Sequence, residues 1–237
     1  MKKLLFIISF IVVLINGTDL YADNSFWKLD VFLQKSQIFT GTYADTNCVP
    51  TTVYHLLKFT GKEYNGTIED IRRVMLPYSD NVGRGITYDE MMRFIKKEDL
   101  GLEYGQKYFG ASEKEQCKEY ILKTLETGVM VNQLDLQYNK KDYSFNRFAG
   151  HCVIIAGSFT LDDNFYLHIL DPADGLYHSW DFDTWWKCYM AWNNGGPNIL
   201  TSFNVTNDRD VVLATFVHPD TPFEQWSYTV KPMIVNR

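Results

Sequence analysis

Hydrophobic residues in this chain change their period once, near Val129, and that change limits the architectures open to it. Upstream, apolar positions recur at helical spacing. After Cys48, residues Val49, Val53, Leu56 and Leu57 fall at i, i+4, i+7 and i+8, and Gly61 stops the run. "TIEDIRRVM" repeats the pattern with Ile68, Ile71, Val74 and Met75 before Pro77. Thr87 and Glu90 predict a capping box ahead of "YDEMMRFIKK". Ser112 and Glu115 predict another ahead of "KEQCKEYILKTLETG", where Cys117, Ile121 and Leu125 share the buried face.

Downstream the pattern is that of strands. "VMVNQLDL" is a strand, followed by the polar "QYNKKDYSFNRF". Val153–Ala156 and Phe165–Leu170 are two further runs of strand formers, separated by "SFTLDDN" and ended by Asp171-Pro172. "VVLATFVH" and "WSYTVKPMIV" add strand material toward the C-terminus. A helical half followed by an antiparallel half predicts an α+β domain whose helices pack as a separate layer on the sheet.

The first residues stand apart. Met1-Lys2-Lys3, the apolar "LLFIISFIVVLI" and a polar run ending at Ala22 have the layout of a signal peptide, with cleavage expected before Asp23. The protein is therefore expected to be secreted or periplasmic, with no stable membrane span after cleavage. Of 237 residues, 215 remain over 23–237, enough for one domain, with a C-terminal strand extension. The leader removes two lysines and one aspartate, which takes the net charge from −6 to −7. An acidic chain without a Lys/Arg cluster argues against nucleic acid as the partner.

Cys48, Cys117, Cys152 and Cys188 form no C-x-x-C pair and no zinc-type spacing with the five histidines, so no cofactor or metal is expected. One bridge, Cys117 with Cys188, is left open.

The chemistry gathers at three positions. Cys48 opens an amphipathic helix with Pro50 in its first turn, where the missing N–H costs nothing. A helix start carries free amide donors and partial positive charge, a setting that favours a thiolate. His151 opens one apolar strand and Asp171 closes the next, so antiparallel pairing would bring both to one sheet edge. An imidazole beside the thiol would move its proton, and a carboxylate on the second ring nitrogen would fix the tautomer. Cys152 should point to the opposite face and belong to the core. His55, His168, His178 and His218 show no partner pattern.

Cys48-Val49-Pro50-Thr51, Gly150-His151 and Asp171-Pro172 together resemble the C39-like branch of papain-like cysteine peptidases. Cys48 precedes His151 by 103 residues, and His151 precedes Asp171 by 20. The resemblance spans roughly Leu29 to Trp186. It implies a papain-like fold, Cys48 as nucleophile, His151 as general base and acid, and Asp171 as the orienting group. Two positions depart from the family pattern. Val49 stands where glycine is usual, and Thr42 stands where a glutamine usually supplies an oxyanion donor. Gln37 is the first choice for that donor, with "TGTYAD" as inserted loop, and Gln34 is the alternative.

The function this implies is a secreted cysteine hydrolase acting on peptide or protein substrates through a thioester. The absence of G-x-x-x-x-G-K-[ST] argues against the leader-cutting role that family members have on export transporters. Two other readings share these residues: an inactive C39-like binding module, and a cell-wall amidase or transglutaminase-type enzyme. The aromatic stretch Tyr177–Gly196 reads either as the wall of a substrate groove or, preferably, as a satellite core. The segment after Gly196 reads as an added hairpin.

Overall fold

The computed structural model describes residues 25–29, 34–76, 83–97, 100–134, 137–139, 144–146, 150–191, 198–206 and 211–215. The expected leader and the "WSYTVKPMIV" strand lie outside the described residues. Strand β1 (Ser25–Leu29) is followed by helices α1 (Cys48–Phe59), α2 (Ile68–Met75) and α3 (Tyr88–Ile95). Then come β2 (Tyr104–Tyr108), α4 (Lys114–Leu125), β3 (Gly128–Leu134) and the small pair β4 (Gln137–Asn139) and β5 (Ser144–Asn146). β6 (His151–Leu161), β7 (Asn164–Asp171), β8 (Leu176–Asp181), α5 (Phe182–Met190), β9 (Ile199–Asn204) and β10 (Val211–Thr215) complete the order. The α+β class follows from the five α-helices and the antiparallel sheet among the described residues.

The long strand β6 organises the sheet. On one edge it pairs with β7, which continues to β8. Its other edge is shared, with β3 on residues 151–155 and β1 on residues 157–158. β9 lies between β3 and β2, and β10 pairs with β1. Ile199–Asn204, in the segment expected to be an added hairpin, is instead an internal strand of the sheet. At Gly128 a Cβ would come within 2.0 Å of the Phe203 carbonyl oxygen on this strand, so only glycine admits that approach.

Helices cover both faces of the sheet. Val129, Val131, Cys152, Ile154, Ala156 and Leu170 pack with α1, α2 and α3. The alternate residues Met130, Leu134, Val153, Ile155, Leu167 and Ile169 pack with α4 and α5. This corrects the expected single helical layer. It also explains why Val153–Ala156 is a continuous apolar run: a strand covered on both sides has no polar face to alternate with. Burying an apolar side chain of that size stabilises the fold by roughly 1.5–3 kcal/mol, so both faces contribute to the core.

Local signals hold where the partners are close in sequence. Thr87 caps α3 with Glu90 as expected, and Thr67 with Asp70 forms a second box on α2. The Ser112–Glu115 box does not form. The cap of α4 is Glu113, whose carbonyl accepts from Cys117 N–H and whose carboxylate accepts from Gly110 N–H. The aromatic stretch becomes β8 and α5, with Trp185, Trp186 and Tyr189 buried in the α4/α5 cluster. Over its described residues it is core rather than groove wall. All four cysteines are unpaired and buried, so Cys117 and Cys188 are not bridged.

Candidate active site

A 3₁₀ turn at Ala44–Thr46 runs almost directly into α1, with Asn47 as the only residue between them. Asn47 has φ −90° and ψ 16°, a bridge-region conformation rather than the extended one usual for a helix cap, and its side chain makes no capping bond. The first turn of α1 is thus left without a side-chain cap, and Cys48 sits at its first position. Its side chain is 9 % exposed.

His151 and Asp171 meet as the strand pairing requires. Ile154 pairs with Leu170, so continuing the register sets Asp171 opposite Val153 and diagonal to His151 on the same face. The His151 Nε2 to Asp171 Oδ1 distance is 2.7 Å, and both side chains are nearly buried. Asp171 Oδ1 also accepts from Ala173 N–H at 2.8 Å, which fixes the carboxylate in the turn after its strand. Cys48 lies within electrostatic reach of His151 and favours its protonated form. With Nε2 occupied by Asp171, Nδ1 is the ring nitrogen left for the thiol.

Electrostatics favour a charged ring. Burial is the largest influence on His151 and works against protonation. The Asp171 charge and hydrogen bond, followed by Cys48, outweigh it and raise the imidazole to about 10. Burial likewise works to raise Asp171, yet the His151 charge, its hydrogen bond and the Ala173 amide hold the carboxyl below its ordinary value. Cys152, next in sequence to His151, belongs to the α1 core, where burial, followed by the Cys48 charge, raises its thiol well above the usual range.

Gln37 is brought to the same place by its backbone. Its N–H donates to Pro172 O at 2.8 Å, and Ser36 Oγ donates to Ala173 O at 2.9 Å. Gly175, at φ 73°, approaches so closely that a Cβ there would lie 2.6 Å from the Lys35 carbonyl carbon. From the α1 side, Asn47 Nδ2 donates to Thr40 Oγ1 at 2.8 Å, and Thr40 Oγ1 donates to Gln37 O at 2.5 Å. Gln37 therefore bridges the Asp171 turn and the residue preceding Cys48. Its Oε1 is buried with no hydrogen-bond partner among the described residues. Gln34 turns its Nε2 to Leu29 O at 2.9 Å, which commits that amide to β1.

Sequence reasoning gave His55 no role, but the structure does. Its Nε2 accepts from Lys35 N–H at 2.9 Å, so the proton of the neutral ring is on Nδ1. Burial pushes this imidazole down to about 3, which keeps it an acceptor. His55 thereby anchors the segment carrying Gln37 to α1. Nothing in its helical spacing signals that contact, because Lys35 reaches it from outside the helix.

No family model matches this chain, and no curated protein matches it. The site must be read from its own geometry. Among the described residues, no group of three or more His, Cys, Asp or Glu is arranged to hold a metal ion. No helix among them is long and apolar enough to cross a membrane.

Proposed function

We propose that this protein is an exported cysteine hydrolase with a C39-like, papain-like fold, cleaving peptide or amide bonds through Cys48, His151 and Asp171. The observation that carries this reading is the buried His151–Asp171 pair at 2.7 Å, with Nδ1 left over and Cys48 close enough to favour the protonated ring. The nucleophile at a helix start and the general acid at a strand start belong to different elements. The leader-like N-terminus supports a secreted or periplasmic location.

In this mechanism Cys48, as a thiolate beside protonated His151, attacks the scissile carbonyl carbon, and the carbonyl oxygen takes the negative charge. Uncapped amides at the start of α1 and the Gln37 side chain are the donors for that oxygen. His151 then gives its Nδ1 proton to the leaving nitrogen as the carbon–nitrogen bond breaks, leaving a thioester on Cys48. Water attacks the thioester with His151 as base, releasing the acid product and restoring the thiolate beside protonated His151. Throughout, Asp171 keeps the ring oriented and stabilises its positive charge.

A peptide substrate is favoured over a small amide by the surface beside Gln37. Ile38 is 57 % exposed and Phe39 is 85 % exposed, so the segment bearing the oxyanion donor offers apolar side chains to an extended chain. The test is alkylation of the mature protein by iodoacetamide across pH, with peptide mapping of the labelled thiol. Rapid modification of Cys48 well below pH 8.5, the range of a free thiol, supports the hydrolase. A rate equal to that of unfolded protein favours a binding module. Product analysis with peptide, cell-wall amide and acyl-acceptor substrates then separates hydrolase, amidase and transferase.

A further inference from the structure

Arg72 lies on α2, outside the three residues of the triad, yet it is 2 % exposed and bonded to the residues just before Cys48. Its Nη1 donates to Thr46 O at 3.0 Å and to Asn47 Oδ1 at 2.9 Å, the two residues immediately before the nucleophile. Its Nη2 donates to Arg84 O, and its guanidinium stacks over the Tyr43 ring at 4.9 Å. Glu69, one turn before it on α2, accepts from Tyr43 N–H at 3.3 Å and from Asn47 Nδ2 at 3.1 Å. Together these contacts hold the 43–47 turn from both sides. A lysine could not replace them, because only a planar fork reaches several acceptors at once.

Burying an arginine is costly, and helix packing does not need one here. Burial is the main influence lowering Arg72, while Glu69, Tyr43 and Cys48 act in the opposite direction, so guanidinium and thiol are within electrostatic reach. Arg84, the other cation nearby, is paired with Glu90.

We propose that Arg72 is a positioning residue for Cys48: it holds Asn47 in the non-capping conformation that keeps the first-turn amides open, and it sets a fixed positive charge behind the nucleophile. This rests on the hydrolase reading and adds a device for preparing its thiol. A substrate-free readout is the second-order rate of iodoacetamide alkylation at Cys48, measured at neutral pH well below the unfolding temperature, with Cys117 as an internal control. Arg72→Met is expected to slow Cys48 by about tenfold while the near-ultraviolet circular dichroism stays native. Arg72→Lys keeps charge without the fork and is expected to fall between the two. If Arg72→Met does not fold, Arg72→Lys decides, and a rate equal to wild type in that variant overturns the proposal. Faster labelling of Cys48 and Cys117 together marks a purely structural role and also overturns it. A wild-type Cys48 no faster than Cys117 sinks the hydrolase reading and this inference with it. A fast wild type with an unchanged, folded Arg72→Met sinks this inference alone.

Discussion

Helices α1 and α4 each run for 12 residues, each packs on the sheet, and each buries a cysteine, yet the two thiols are in opposite situations. Cys117 lies within α4 among Ile121, Leu125 and the α5 aromatics, and burial pushes it up to about 12. Cys48 is almost as enclosed, but it stands at the first position of α1 within electrostatic reach of His151. Burial alone makes a thiol inert. What distinguishes Cys48 is the charge arranged around it: uncapped amides, an imidazolium and a buried guanidinium.

The sharpest way to break the contrast is to delete each sulfur. Cys48→Ala is expected to abolish turnover and leave the fold intact, and His151→Ala should be nearly as damaging, because thiolate formation and leaving-group protonation both depend on it. Hydrolysis assays on the variants check this, and full activity in Cys48→Ala ends the hydrolase scheme. Next in size is Gln37→Ala, where loss of one oxyanion donor should lower kcat by about 10²–10³ with KM little changed. An unchanged kcat would leave the α1 amides as the donors.

Asp171→Asn should cost less, about tenfold to a hundredfold in kcat, since a neutral hydrogen bond replaces a charge-assisted one. The same pair gives a pH signature. His151 is raised from 6.5 to about 10 in the folded protein, so its contribution to stability is complete below pH 6.5 and disappears as pH rises through about 10. Asp171 is lowered from 3.8, so its contribution is present above that pH and is lost as pH falls through the folded value. Urea midpoints of wild type and Asp171→Asn should therefore differ most between pH 3.8 and 6.5 and converge at both extremes. A constant gap from acid to alkali would contradict the ion pair.

The smallest effect is expected on the α4 side. Cys117→Ala should leave kcat unchanged and lower stability by about 1–2 kcal/mol, the cost of a small cavity in packed core. Denaturant melts and assays on one preparation separate the two quantities. Loss of activity without loss of stability would give Cys117 a role that its surroundings do not suggest.

The sequence alone determined what depends on neighbours a few residues apart. The helix start at Cys48 and Pro50, the Thr87–Glu90 box, the His151 strand start and the Asp171-Pro172 strand end are local events, governed by capping and turn chemistry. The pairing of His151 with Asp171 was also legible, because a short connection between adjacent antiparallel strands leaves few registers. Tertiary structure decided the rest. Which face α4 and α5 would cover was hidden, since a strand buried on both sides carries no alternation to mark its faces. The Gln37 bridge, the His55 acceptor and the Arg72 fork join segments that no spacing rule connects, and Gln34 and Gln37 became distinguishable only when Leu29 took one amide. Long-range hydrogen bonds of this kind are chosen by where packing brings backbone groups that must be satisfied, a condition that exists only once the layers have closed.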